Sequence, residues 1–141
     1  MKKSDNEIEF MMKAGSISSK AMQALIDKAR PGVRQCDAMA ALYNVTIGGT
    51  KAVGGTFPCK PPNAMVGEYC SAPHLTWTDQ PLKENDMFYI EQAGVHHRYH
   101  SPLSRCSRSS RLPFLFTRGR FVCPSLLKVT SILFKNAFIP S

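Results

Sequence analysis

The sequence has no aspartate or glutamate after Glu91 and no histidine after His100. Its last third therefore offers no carboxylate for acid–base chemistry or metal ligation. Up to Ser104 the chain carries 11 Lys+Arg against 10 Asp+Glu, and from Arg105 onward 7 Lys+Arg and no acid, so the formal net charge of +8 belongs mostly to the tail. Cys36, Cys59, Cys70, Cys106 and Cys123 make an odd number with no CxxC pair. That argues against a disulfide framework and a zinc ribbon and points to a reduced, cytoplasmic chain. Long apolar runs are missing too. The opening MKKSDNEIEF turns acidic and amphipathic where a signal peptide would be apolar, and Arg118, Arg120, Lys128 and Lys135 interrupt the tail too often for a spanning helix. No membrane partner is expected. Nor is nucleic acid, because the first 104 residues are nearly neutral and no basic and aromatic module is interleaved in the tail.

What is present fits one modest domain: 141 residues, 43% of them apolar. Ser4 followed by Glu7 is a capping-box pattern, and Ile8, Met11, Met12, Ile17, Met22, Leu25 and Ile26 recur at roughly helical spacing, which predicts a helix over Asp5 to Ala29. Pro31 and Gly32 end it. Asp37 can cap a second helix with Met39, Leu42 and Tyr43 on its apolar face, stopped by Gly48 and Gly49. Gly54 to Pro62 reads as a loop, Ala64 to Ser71 as a short strand leading into a Pro73-His74 turn, and Asp86 to Gly94 with Tyr99 to Arg105 as a hairpin around Val95 to Arg98. Two helices followed by a strand and a hairpin make an α+β fold.

The stretch from Gly67 to Arg105, GEYCSAPHLTWTDQPLKENDMFYIEQAGVHHRYHSPLSR, sets a histidine, a polar hairpin and an arginine at a recognisable spacing. With SAPH, IEQAG and YHSPLSR in this order, the chain from Asn6 to about Arg105 resembles the pita-bread hydrolases, the superfamily of creatinase, Xaa-Pro aminopeptidase and methionine aminopeptidase. SAPHLTWTDQPL and the histidine-rich hairpin look most like the ectoine hydrolase branch. The resemblance implies only the N-terminal half of a pita-bread catalytic domain. It also implies a small-molecule amidine or peptide as substrate of the parent enzyme.

Metal-dependent members of that superfamily carry one aspartate on each hairpin strand, and the matching positions here are Gln92 and Pro102. An amide is a poor ligand for a hard divalent ion and proline has no side-chain donor, so the resemblance implies creatinase-like chemistry with no metal or other cofactor. His74 matches a histidine that relatives place beside the substrate. An imidazole is suited to take a proton from water and pass it to a leaving nitrogen, which makes His74 the catalytic candidate. Without the resemblance, a histidine bonded at a strand end would be the better account of it. Tyr99, His100 and Arg105 fall on positions that could shape a substrate pocket, against the plainer account of packing and ion pairing. His96, His97 and His100 form an HHxxH cluster, but His96 and His97 as strand neighbours should point to opposite faces, so a zinc site is not expected. Trp77 and Tyr89 read as core or wall residues.

If the parent enzyme is an ectoine hydrolase, the reaction opens a cyclic amidine at a carbon–nitrogen bond, and carboxylates must orient water and pair with the amidinium. Much of that carboxylate set comes, in creatinase-like relatives, from the second half of the domain. Here Cys106 opens SRSSRLPFLFTRGRFVCPSLLKVTSILFKNAFIPS, basic and without clear period. The expectation is thus a partial domain over 1–106 and a tail over 107–141, derived from a shifted reading frame or disordered, giving a truncated hydrolase inactive alone. Half a domain leaves a sheet face uncovered, which favours association into homo-oligomers. The competing expectations are a fragment of an Xaa-Pro dipeptidase or aminopeptidase-like metallopeptidase, and a small basic interaction protein.

Overall fold

A computed structural model describes residues 2–58 and 60–110. Helix α1 spans Asp5–Lys28 and begins with the expected capping box: the Glu7 backbone N–H donates to Ser4 Oγ at 3.4 Å and the Ser4 N–H to Glu7 Oε2 at 2.7 Å. It stops one residue short of the expected end, with Ala29 as an extended cap. The buried stripe is Ala14, Ile17, Ser18, Ala21, Met22 and Leu25. Ile8, Met11 and Met12, expected on the same apolar face, are exposed: the first two turns of α1 meet the hairpin tip through Glu7 and Phe10, which leaves these three side chains in solvent.

Helix α2 spans Gln35–Gly48 and starts before the expected cap. Asp37 does not cap it. The first free amides are satisfied elsewhere: Gln35 N–H donates to Gln80 O at 3.0 Å and Cys36 N–H to Thr78 O at 3.1 Å, while Gln35 Oε1 accepts from Thr78 N–H at 2.9 Å. With that work done by a distant loop, Asp37 is left inside the first turn, in a two-point pair with Arg34 at 2.8 and 2.9 Å.

The three strands are β1 Asn63–Val66, β2 Met87–His96 and β3 Tyr99–Arg108, antiparallel in the order β1-β2-β3. The strand expected over Ala64 to Ser71 is split. Gly67 turns to φ 60° and the chain leaves the sheet as a 3-10 turn over Gly67–Ser71. The hairpin is tighter than expected, with only His97 and Arg98 outside the strands, both at positive φ (47° and 67°), as a two-residue I′ turn requires. β3 runs on to Arg108, past Cys106, and Ser109 ties it back by donating its hydroxyl to Lys83 O.

Both helices lie on one face of the sheet. Phe88 and Ile90 of β2 and Ala64 and Val66 of β1 pack with Met22, Leu25, Met39, Leu42 and Leu82 in one buried cluster, and Trp77 and Tyr43 meet edge-on at its margin, 5.8 Å apart. The architecture is the expected α+β one, two helices on a three-stranded antiparallel sheet. Among the described residues no helix is long and apolar enough to cross a membrane. The expectations about the tail lie, beyond Ser110, outside the described residues, as does Cys59.

Candidate functional site

Alternation along β2 divides the hairpin into two chemical faces. Phe88, Ile90, Gln92 and Gly94 face the helices, as do their partners Ser107, Arg105, Leu103 and Ser101; Tyr89, Glu91 and Ala93, with Cys106, Ser104 and Pro102, face the other way. On that second face, between the sheet and the 3-10 turn, lies a depression of about 310 Å³. Asn63, Met65, Tyr89 and Glu91 form its floor, and Cys70, Ser71 and His74 its rim.

His74 stands in the turn after the 3-10 segment at φ 58°, exposed, so its ring projects from a bend and not from a regular strand. Cys70 is directed inward, 3.3 Å from Met65 O and 3.6 Å from Met87 O, and burial pushes its thiol pKa up. A thiol held protonated against carbonyls is not a nucleophile. Glu91 is the carboxylate of the depression. Its Oε2 accepts from Asn63 Nδ2 at 3.2 Å, and its Oε1 pairs with Lys60 Nζ at 3.3 Å.

The sequence expectations fare unequally. Gln92, matched to a carboxylate ligand position, is turned towards α1 and 3% exposed, with Nε2 donating to Ser18 O at 3.0 Å. It shares no face with Pro102. The residue that does is Glu91, one step earlier on the strand. A divalent ion finds poor support there: Pro102 has no donor, Gln92 points away, and an ammonium already lies against the one acid. The residues present do not fit a two-metal centre.

Tyr99 and Arg105 lie on the helix side, and His74 and His100 on the other, so the four do not form one site. The Tyr99 hydroxyl donates to Glu7 Oε1 at 2.9 Å, fastening the hairpin tip to the start of α1. His100 Nδ1 is 3.1 Å from Arg98 O. The opposite-face expectation for His96 and His97 fails because His97 is a turn residue at positive φ, outside the alternation. Their rings sit 4.5 Å apart, and both touch Phe10. Glu91 and Asn63 went unnoticed in the sequence, although their direct pairing across β1 and β2 is what seats the acid.

The Tyr99–Glu7 tether has two acid–base limits. Glu7 is held below the ordinary carboxylate range, first by the Ser4 backbone N–H and then by Tyr99, so its contribution is complete above that range and is lost as pH falls through the lowered value. Tyr99 is raised, first by the bond to Glu7, so its contribution is complete below the ordinary phenol range and is lost as pH climbs through the raised value. Tyr99→Phe should flatten the fall in urea midpoint between roughly pH 5 and pH 3. Parallel profiles for the two proteins would mean that the tether carries no stability.

The sequence pattern of metallopeptidase family M24 matches residues 9–110. An uncharacterized hydrolase/peptidase of Sinorhizobium fredii, y4tM, is 40% identical over 111 residues, covering 79% of this chain and 28% of that protein. The ectoine hydrolase of Halomonas elongata is 36% identical over 122 residues, covering 83% of this chain and 31% of the enzyme. The chain thus spans about a third of the length of the curated relatives it matches. Among solved structures, the prolidase of Pyrococcus furiosus superposes with a TM-score of 0.67 at 24% identity, over 79% of this chain and 32% of that one. The X-Pro aminopeptidase of Thermotoga maritima gives 0.64 at 20% identity, over 94% of this chain and 34% of the other. At these identities the two structures establish the fold, a part of the pita-bread aminopeptidase architecture.

Proposed function

We propose, for a chain that belongs to metallopeptidase family M24, that its depression is the amidine-binding part of a metal-independent hydrolase similar to ectoine hydrolase. The observation that carries this is that His74, Glu91 and Tyr89 line one concave surface. A carboxylate pairs well with a delocalised amidinium, and an exposed imidazole beside it can move a proton. In the reaction water attacks the amidine carbon, His74 takes the water proton and returns it to the leaving ring nitrogen, and the carbon–nitrogen bond breaks to give an acetylated diaminobutyrate. The Xaa-Pro peptidase alternative draws support from the family name and the fold. It is weakened by Pro102, which cannot ligate a metal, and by Gln92 facing the helix. The odd cysteine count favours a reducing, cytoplasmic setting.

Turnover by these 141 residues alone is not part of the proposal. Glu91 is the one acid among the residues that line the depression, so the depression itself holds no second carboxylate to orient water. Titrating the purified chain with ectoine under proton NMR tests both halves. Saturable shifts at His74 and Tyr89 with no ring-opened product are expected. Product that vanishes in His74→Ala would overturn the inactivity, and unshifted His74 and Tyr89 signals would overturn the pocket.

A further inference from the structure

Three ion pairs occur among the described residues, and two of them join residues three or four apart in sequence. The third, Lys60–Glu91, joins a loop to the middle of the sheet. Its acid is fixed: Glu91 is mid-strand and bonded to Asn63, its partner on β1. Its base sits on a stiff support, because Pro61 and Pro62 fix the backbone between Lys60 and the start of β1. Lys60 and Glu91 keep 50% and 33% of their side-chain surface in solvent. An ion pair this open is weak.

We propose that Lys60 is a specificity residue that selects zwitterionic ligands, with Glu91 taking a delocalised cation and Lys60 an adjacent carboxylate. The proposal rests on the depression being the ligand site; Lys60 is not among the residues that line it and meets it through Glu91, 3.3 Å away. A ligand with only a cation must push Lys60 off Glu91 and leave its ammonium without a counter-charge. An anion alone meets the Glu91 carboxylate. A small molecule bearing both replaces one long pair by two charge-assisted contacts, at little cost because the resting pair is weak. The resting ion pair is then a stand-in for the two charges of the ligand. Amidinium or guanidinium suits the acid, whose two oxygens can accept from a planar fork, and a carboxylate suits the single, movable ammonium.

The probes are guanidinoacetate and ethylguanidinium, which differ in the carboxylate, titrated calorimetrically at low ionic strength with NMR monitoring of Tyr89. The chain should bind guanidinoacetate about fivefold more tightly than ethylguanidinium. Lys60→Met should bring that ratio to about one without weakening ethylguanidinium, Lys60→Arg should restore it, and Glu91→Gln should weaken both probes. A ratio near one in the unaltered chain, or an unchanged ratio in Lys60→Met, overturns the role of Lys60 while leaving the cation site standing. No saturable binding of either probe overturns the site and the selection together.

Discussion

Gly94→Ala is expected to lower the free energy of unfolding by about 2–3 kcal/mol, the upper part of the range for inserting a methyl into a packed interior. A Cβ at this position would stand 2.5 Å from Ala14 O, 2.6 Å from Ser18 N and 2.9 Å from Ile17 Cβ. Two of these are backbone atoms of α1, so no rotamer change relieves the clash and the helix itself must shift. A shift has its own cost, because α1 is bonded to the hairpin here. Gly94 N–H donates to Ser18 Oγ at 2.7 Å, that hydroxyl donates to Ser101 O, and Gln92 Nε2 donates to Ser18 O. Buried polar groups deprived of partners cost about 1–3 kcal/mol each. Urea unfolding at neutral pH measures the loss, and a midpoint within error of the parent protein would show that the helix does not ride on the strand as closely as described.

The same contact shows why some features were legible in the sequence and others were not. The Ser4–Glu7 box, the buried positions Ile17, Met22 and Leu25 of α1 and the existence of the hairpin are written locally, and local rules recover them, whereas the small buried residues Ala14, Ser18 and Ala21 carry no such signal. The start of α2 is not local. Its amides are met by Thr78 and Gln80, forty-odd positions downstream, and this frees Asp37 for Arg34. Ile8, Met11 and Met12 continue the apolar spacing of α1, yet nothing in the period says which side chains of the first two turns the hairpin covers. The sharpest case is Gln92 and Glu91. A one-residue difference in matching a strand moves a side chain to the opposite face, so the motif IEQAG identifies the strand without identifying which residue reaches the depression. The register settles it in favour of Glu91, placed across from Asn63. His74 is a candidate only through resemblance, since an exposed histidine after a proline has no local signature of chemistry; what the structure adds is its place in the lining of the depression.

Phe88→Ala is expected to cost about 3–5 kcal/mol, the range for deleting a buried aromatic ring. Phe88 is 1% exposed, sits opposite both Val66 and Ser107, and belongs to the cluster that joins both helices to the sheet. The whole side-chain volume would become a cavity, and the cavity would lie directly behind Tyr89, whose ring lines the other face. Because β2 carries core residues and residues of the depression on alternate positions, the strand cannot relax into the void without moving Tyr89 and Glu91. The proposed ligand site should therefore lose affinity in this variant even where it remains folded, although Phe88 does not itself line the depression. Urea unfolding at low temperature, where the variant retains structure, gives the first quantity, and titration with guanidinoacetate in the same buffer gives the second. A loss below about 1 kcal/mol would place Phe88 outside the core, and unchanged affinity with a large loss of stability would mean that the two faces of β2 are mechanically independent.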